Sequence, residues 1–259
     1  MFAIANCDSL DTSRPPDDDC AAMDALPPLA PVDREESLAG KVYRRLRAAL
    51  MSGRLSPGQK LVHRLLAQEM QVSPTPVREA LLRLVSEGGL DLDARGIAWV
   101  PRLAPERYHE IMELRVELEG RAAARTAELA TPEDIAVLRA IHARVAEGRL
   151  RHDARMVLTE NELFHFHTIG LARMPVLRRM VESLWVQAGP TINLLFTVPR
   201  PVAPQDHPHV ALLAALEARD PAAARAAVTR DLREHGAVLA DMLAEMRADT
   251  RTRPGAPAG

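Results

Sequence analysis

The sequence predicts a mainly α protein with two structured parts, an N-terminal winged helix-turn-helix and a C-terminal all-α helical bundle. Three short amphipathic segments followed directly by a hairpin pattern indicate the first part. Apolar residues at helical spacing over most of the remaining chain indicate the second. We expect the winged helix-turn-helix at 35–102 and the bundle at 103–248, with disordered tails at 1–34 and 249–259.

The composition is that of a folded protein. The 259 residues are 47% hydrophobic, which is enough to bury a core in each of two domains. Both cysteines, Cys7 and Cys20, lie in the N-terminal tail, so neither a disulfide framework nor a thiolate zinc site can organise the fold. No apolar run reaches the roughly 18 residues of a membrane span, so we predict a cytoplasmic protein with no membrane partner.

Charge is distributed unevenly along the chain. Residues 1–36 hold nine acids against two bases, a net charge of -7, whereas residues 38–102 hold eleven bases against five acids, a net charge of +6. A basic module of that size suits a polyanion such as DNA.

The first helix is predicted from Leu38, where apolar residues begin to recur every three or four positions, and Gly53 follows it as a C-terminal cap. Residues 55–58 have the composition of a turn. A second helix is predicted over 62–70. Its expected inward residues are Leu65, Leu66 and Met70.

The third helix is expected to start with Thr75 as its N-cap and Pro76 at the first helical position, where a missing N–H costs nothing. Beyond it, residues 90–93 and 97–100 flank a short turn and indicate a two-stranded wing. The inward stripe of the third helix is predicted to be Val77, Ala80, Leu81, Leu84 and Val85.

A helix in this position places its N-terminal side chains where they reach base edges in the major groove of double-stranded DNA. We expect Arg78 to contact a base or a phosphate, because an outward guanidinium one turn into such a helix can pair with guanine. The alternative is that Arg78 and the other exposed arginines of this part are ordinary solvated side chains. The full set of predicted DNA-binding residues is Arg64, Ser73, Thr75, Pro76, Arg78, Arg83, Arg95 and Gly96.

These residues resemble the N-terminal domain of the GntR family of transcription regulators. The resemblance rests on GRLSPG at 53–58, Leu66-Ala67 and VSPTPVREALLRL at 72–84. It implies operator binding by a winged helix-turn-helix. One departure is Pro74, where family members often carry a DNA-contacting arginine.

Six helices are predicted in the second part, and several of their apolar faces contain a polar residue. The expected spans are 105–129, 132–148, 153–172, 176–196, 205–218 and 221–246. The polar residues on these faces are Arg115, Asn161, His165, His209, Asp231 and His235.

Because burying an unpaired polar group costs several kcal/mol, we expect these residues to satisfy one another around a shared cavity. Imidazoles with an oxygen ligand suit zinc, nickel or manganese, and the arginine suits an anionic effector. The alternative is a set of hydrogen-bonded core histidines. Four other histidines are expected on the surface or in loops, namely His142, His152, His167 and His207.

The second part resembles the FCD ligand-binding domain of the FadR-like branch of the same family. The resemblance rests on LRVELE at 114–119, NELFH at 161–165, His209 and Asp231-Leu232. It implies a homodimer that binds a pseudo-palindromic operator. The most common behaviour in this family is repression that a small carboxylate relieves, and the resemblance implies the same here.

The same resemblance implies a divalent metal held by Asn161, His165, His209 and Asp231. Asp231 stands where the family usually has a histidine, and His235, one turn later, could substitute. Arg115 would bind the carboxylate effector.

Two other classes compete with this interpretation. A metal-dependent hydrolase could use His165, His209 and Asp231, but no HExxH motif is present and the basic module would be unexplained. An architectural nucleic-acid-binding protein would not need polar residues inside its bundle.

Overall fold

The computed structural model describes residues 37–192, 194 and 207–252, which form nine helices and three short strands. This confirms the predicted mainly α fold class. The predicted tails at 1–34 and, from residue 253 onward, at the C-terminus lie outside the described residues.

Three helices form the N-terminal part of the fold. Ser37 caps the first of them, where its hydroxyl accepts a hydrogen bond from the backbone N–H of Gly40. Gly53 follows that helix with a positive φ of 64°, as its predicted capping role requires. The helices are α1 Leu38–Met51, α2 His63–Glu69 and α3 Pro74–Ser86.

A three-stranded antiparallel sheet completes this part. The strands are β1 Lys60–Leu61, β2 Asp91–Leu92 and β3 Ala98–Trp99. The central strand is β3, and it pairs with both β1 and β2. The wing hairpin is therefore confirmed, whereas β1 was not predicted because two residues are too few to show a strand's alternation.

The start of α3 differs from the prediction. The N-cap is Ser73 and the first helical residue is Pro74, so the predicted N-cap at Thr75 and first position at Pro76 are wrong. Two prolines stand in the first turn, and either satisfies the rule that proline suits a helix start. The earlier start places Thr75 and Pro76 inside the first turn.

The prediction for α2 is wrong at Leu65, which is 63% exposed. Ala67 is the buried residue of this helix, and Leu66 and Met70 are half-buried. Consecutive residues lie about 100° apart around a helix, so a two-turn helix with one contact face cannot bury Leu65 and Leu66 together.

Six helices follow, as predicted, and they are α4 Pro105–Leu129, α5 Pro132–Leu150, α6 Ala154–Leu171, α7 Pro175–Ile192, α8 Pro208–Glu217 and α9 Pro221–Thr252. Prolines occupy the first positions of α5 and α9, as expected. Thr131 and Asp134 form a capping box at the start of α5.

The bounds differ from the prediction mainly at α7, α8 and α9. α7 ends at Ile192, and residues 193, 195 and 196 of its predicted span lie outside the described part of the chain. The same holds for residues 205–206, with which α8 was predicted to begin. α9 continues to Thr252, past its predicted end at 246 and into the predicted tail, because no proline or glycine interrupts it before residue 254.

Helix α7 connects the two parts of the fold. Its buried residues Val181, Trp185 and Val186 share one apolar core with Leu50 and Leu84 of the N-terminal part. At the edge of this contact, Arg47 Nη2 forms an ion pair with Glu182 Oε2 at 3.0 Å. The N-terminal part therefore packs directly on α7.

Candidate functional site

The predicted DNA-contacting residues lie on one helix start, one neighbouring helix and the wing tip. Ser73, Thr75 and Arg78 are exposed at the start of α3, and Arg64 is exposed on α2. Arg78 makes no hydrogen bond or ion pair with any described residue. Its guanidinium therefore remains available to a ligand such as DNA.

The wing tip is exposed at Arg95 and Gly96. The carboxylate of Asp93 organises this turn by accepting the backbone N–H groups of Arg95 and Ile97, each at 2.9 Å. These hydrogen bonds, of which that from Ile97 is the strongest influence, lower the pKa of Asp93. Gly96 has a positive φ of 74°, which glycine adopts without strain.

Two other predicted DNA-binding residues are less available for contact with DNA. Pro76 is half-buried. Arg83 is exposed, but its guanidinium stacks 3.7 Å from the centre of the Tyr43 ring and its Nε donates to Glu87 Oε1 at 3.3 Å. Any contact of Arg83 with DNA would therefore compete with partners that it already has.

Inside the bundle, the fold brings together three of the predicted metal ligands. His165 of α6, His209 of α8 and Asp231 of α9 are all buried, and their candidate ligand atoms lie within 4.8 Å of one another. His165 Nε2 is 3.0 Å from Asp231 Oδ2, and His209 Nε2 is 3.7 Å from the same oxygen. The predicted clustering of these residues is thus present in the fold.

Glu119 of α4, which the sequence did not single out, holds the other side of His165. Its Oε2 accepts from His165 Nδ1 at 3.0 Å, while its Oε1 accepts from Arg115 Nε at 2.8 Å and from Trp185 Nε1 at 2.9 Å. Only its place in the LRVELE segment pointed to it. A buried carboxylate behind a histidine is the usual means of orienting a metal-binding imidazole.

The protonation states in this network follow from the partners of each group. Burial alone would raise the pKa of Glu119, but the charge of Arg115 and the hydrogen bond from His165 outweigh burial and hold that pKa at about 2. Burial would lower the pKa of His165, but hydrogen bonds to Asp231 and Glu119 raise it to about 9. His165 is therefore protonated, and each of its two N–H groups donates to a different carboxylate.

The pKa values of His209 and Asp231 are both lowered, but for different reasons. Burial holds the pKa of His209 well below its usual value, although the charge of Asp231 opposes this. Burial would raise the pKa of Asp231, but hydrogen bonds from His165 and His235 outweigh it and lower that pKa strongly. The cluster therefore offers a neutral imidazole and an ionised carboxylate.

Two histidines predicted to lie on the surface or in loops belong to this cluster instead. His207 is 3% exposed, and His142 is half-buried with its Nδ1 only 3.3 Å from His209 Nδ1. His142 lies four residues after the buried Leu138 and three before the buried Val145, and this spacing could have identified it. His207 precedes a helix-starting proline, which indicates only an N-cap.

The cluster fits a divalent metal ion by its donor set and by its unsatisfied atoms. Two histidines and one carboxylate are ordinary zinc ligands. His209 Nε2 is buried and has no hydrogen-bond partner, and Asp231 Oδ1 is buried with only His235 Nδ1 close to it, at 3.1 Å. A cation would satisfy both, and it would take the place of the proton on His165 Nε2.

The remaining predicted ligands lie beside this group. Asn161 is half-buried on α6, one turn before His165, and its role as a ligand stays a prediction. His235 Nδ1 is 3.1 Å from Asp231 Oδ1 and donates to the backbone carbonyl of Asp231 at 2.9 Å. His235 thus lies where a substitute ligand would be needed.

Arg115, the predicted effector-binding residue, is 2% exposed and already paired. Besides its bond to Glu119, its guanidinium lies 4.3 Å from the Trp185 ring. The charge of Glu119 therefore balances that of Arg115, and its role toward an effector stays a prediction.

A winged helix with an exposed recognition-helix arginine, joined to an all-α bundle, is the architecture of a DNA-binding transcription regulator. Family models match both parts: that of the bacterial regulatory proteins of the gntR family at residues 38–96, and that of the FCD domain at residues 110–234. The chain belongs to the GntR family and carries an FCD domain.

Individual relatives agree. The HTH-type transcriptional regulator McbR of Escherichia coli K12 is 34% identical over 205 residues, which cover 78% of this chain and 93% of McbR. The solved structure of E. coli McbR/YncC has a TM-score of 0.75 at 33% identity and covers 80% of this chain and 99% of that one. The HTH-type transcriptional repressor RspR of E. coli K12 is 25% identical over 211 residues, which cover 81% of this chain and 89% of RspR.

A further solved structure has the same fold. It is a putative GntR transcriptional regulator from Rhodococcus sp. RHA1, with a TM-score of 0.65 at 21% identity over 79% of this chain and 98% of that one. The relatives named here are transcription regulators, which favours this class over the hydrolase considered above. Within the described ranges, no helix is both long and apolar enough to cross a membrane.

Proposed function

We propose that this protein is a homodimeric repressor whose binding to a pseudo-palindromic operator is modulated by a small carboxylate effector bound beside a divalent metal ion. His165, His209 and Asp231 would hold the metal, with Asn161 as a fourth ligand or His235 in its place. Arg78 and the other exposed residues at the start of α3 would contact the operator.

The observation that carries the metal is the buried cluster of His165, His209 and Asp231. Burying polar and charged side chains from three helices at one point costs stability unless each of them has a partner. In this cluster the Nε2 of His209 has no hydrogen-bond partner, and Asp231 Oδ1 has only His235 beside it. A bound cation accounts for both and for the carboxylate of Glu119 behind His165.

The same cluster contacts the helix on which the DNA-binding part rests. Glu119 accepts hydrogen bonds from both His165 and Trp185, and Trp185 lies on α7 within the core shared with the N-terminal part. Occupancy of the site can therefore bias the position of α7, which supports regulation of DNA binding by a ligand in the bundle.

The repressor role rests on relatives. RspR of E. coli is described as a repressor, and it aligns with most of this chain. A homodimer is the arrangement that reads a pseudo-palindromic operator, since two symmetry-related recognition helices then contact two half-sites.

Substitution of Asp231 tests the metal. We expect the tag-free wild-type protein to hold about one zinc ion per chain and Asp231→Asn to lose at least about tenfold in zinc affinity. The matched control is Asp241→Asn, an exposed carboxylate on the same helix. Zinc content is measured by elemental analysis and zinc affinity by chelator competition.

Operator binding is measured in parallel, on DNA selected from random sequences by the wild-type protein. The operator affinity of the wild type and of Asp241→Asn should change when zinc is chelated, whereas that of Asp231→Asn should not. Equal zinc content in all three proteins would overturn the metal site, and selection of no preferred DNA sequence would overturn the regulator.

A further inference from the structure

The cluster contains a second buried nitrogen without a partner, on His207. His207 Nδ1 accepts the backbone N–H of His209 at 3.2 Å, so this ring nitrogen carries no proton. In a neutral imidazole whose Nδ1 accepts, the proton is on Nε2. That Nε2–H is buried and has no acceptor among the described residues.

Arg149, in the last turn of α5, presents a similar unsatisfied donor. Its Nε is buried without a hydrogen-bond partner, and no carboxylate lies within ion-pair distance of it in the described part of the chain. Arg149 follows His142 by seven residues, or about two turns, so both lie on one face of α5. That face is directed at the cluster, because His142 Nδ1 is 3.3 Å from His209 Nδ1.

The face of α5 that carries His142 also lies against His207. The rings of His142 and His207 have centroids 5.4 Å apart.

A count of the charges shows that the cluster lacks an anion. The charge of Arg115 is balanced by Glu119. Arg149 has no such counterpart among the described residues. A divalent cation held by His165, His209 and Asp231 would add positive charge, of which the carboxylate of Asp231 balances only part.

We propose that Arg149 and His207 together anchor a carboxylate anion at the α5 side of this cluster. Arg149 supplies the charge and one N–H donor, and His207 Nε2 supplies the second donor. Two donors match the two oxygens of one carboxylate, and a charged donor makes the stronger bond. This inference rests on the proposed function, and it assigns the effector's carboxylate to Arg149 instead of Arg115.

Isothermal titration calorimetry of the full chain tests this assignment. Acetate, succinate and citrate are titrated into zinc-loaded and into chelated protein, with inorganic phosphate as a comparison anion. We expect at least one carboxylate to bind the wild type, and Arg149→Gln to weaken that binding about tenfold or more. The matched control is Arg144→Gln, on the same helix, whose guanidinium already pairs with Glu160.

A second variant examines the other donor. His207→Asn keeps a side-chain oxygen that can cap α8 but removes the distant N–H, so carboxylate binding should weaken while the melting temperature stays near that of the wild type. Zinc content is measured for each variant, so that a loss of metal is not mistaken for a loss of the anion anchor.

The outcomes separate this inference from the proposed function. Weakened carboxylate binding in Arg149→Gln supports the inference whether or not zinc is bound. Unchanged carboxylate binding in Arg149→Gln, no binding of any of the carboxylates to the wild type, or binding of phosphate alone would overturn it. A wild type that holds no zinc, or whose operator binding ignores zinc, would contradict the proposed function instead.

Discussion

His165 and His209 lie in the same cluster but carry different charges, and the reason is local. His165 donates to a carboxylate from each ring nitrogen, so its charged form is favoured. His209 stacks on Phe164 with ring centroids 3.8 Å apart, and its Nε2 has no acceptor, so its neutral form is favoured. Hydrogen-bond partners, more than burial, decide which histidine is ready to bind a cation.

A substitution at Arg78 tests the DNA interface. Arg78→Ala should weaken operator binding by about 1–3 kcal/mol and, if Arg78 contacts a phosphate, reduce the slope of affinity against salt by about 1. Stability should change by less than about 0.5 kcal/mol, because the side chain is exposed. Fluorescence anisotropy at several salt concentrations measures the first effect and urea unfolding the second.

The control for this substitution is Arg155→Ala, which removes an exposed arginine from α6 in the bundle. Its operator affinity and salt dependence should equal those of the wild type. An Arg78→Ala protein that binds the operator like the control would show that α3 does not contact the DNA through this residue.

At the scale of whole elements, α7 is placed by a close backbone approach. A Cβ on Gly189 would lie 2.3 Å from the backbone oxygen of Leu50 and 2.8 Å from the Cα of Met51. Only a residue without a side chain allows α7 and the end of α1 to pack at this distance. The DNA-binding part is therefore attached to the bundle through backbone contact as well as through side chains.

We predict that Gly189→Ala destabilises the protein by about 1–3 kcal/mol, because the backbone atoms that it meets cannot move aside cheaply. Urea unfolding measures the change. Gly170→Ala is the control: its Cβ would meet only Arg178 Nη1, the flexible end of a side chain, at 3.2 Å. That variant should be neutral or gain up to about 1 kcal/mol from helix propensity. Equal effects of the two substitutions would contradict the close approach.

At the scale of the whole molecule, one hydrogen-bonded chain connects the candidate metal site to the DNA-binding part. It runs from Asp231 through His165 and Glu119 to Trp185 on α7, with atom separations of 3.0, 3.0 and 2.9 Å. A physical connection becomes evidence of coupling only when breaking it changes the response.

Trp185→Phe breaks this connection while keeping most of the ring. Wild-type operator affinity should differ between zinc-loaded and chelated protein by about 5- to 150-fold, the usual range of allosteric coupling. In Trp185→Phe this ratio should approach 1, because Glu119 no longer bonds to α7. Operator affinity is measured by fluorescence anisotropy, with and without a chelator.

Trp99→Phe is the matched control, since Trp99 also donates to a carboxylate, that of Asp93, but lies in the wing. Its operator affinity can change, yet the ratio between the two zinc states should be that of the wild type. A Trp185→Phe protein with the full wild-type ratio would show that the response does not pass through this hydrogen bond.

The order and type of the elements could be predicted because each follows from local patterns. Pro132 and Pro221 start their helices, and Gly53 ends α1, as their local chemistry requires. The exposed positions of Arg78 and Arg95 follow from helical and hairpin periodicity. The start of α3 could not be placed to the residue, because Ser73 and Thr75 both precede a proline.

The amino-acid sequence by itself determined the fold class, the recognition helix, and three of the residues that meet in the bundle, since these depend on the spacing of apolar and polar residues along single helices. Only the tertiary structure decided that Glu119, His142 and His207 join that cluster, that the Nε of Arg149 is buried without a partner, and that Arg115 is already paired. The reason is that a contact between helices depends on their packing and rotation, which spacing within one helix does not specify. The cluster's charge balance, and with it the unmatched charge of Arg149, therefore follows from the packed molecule.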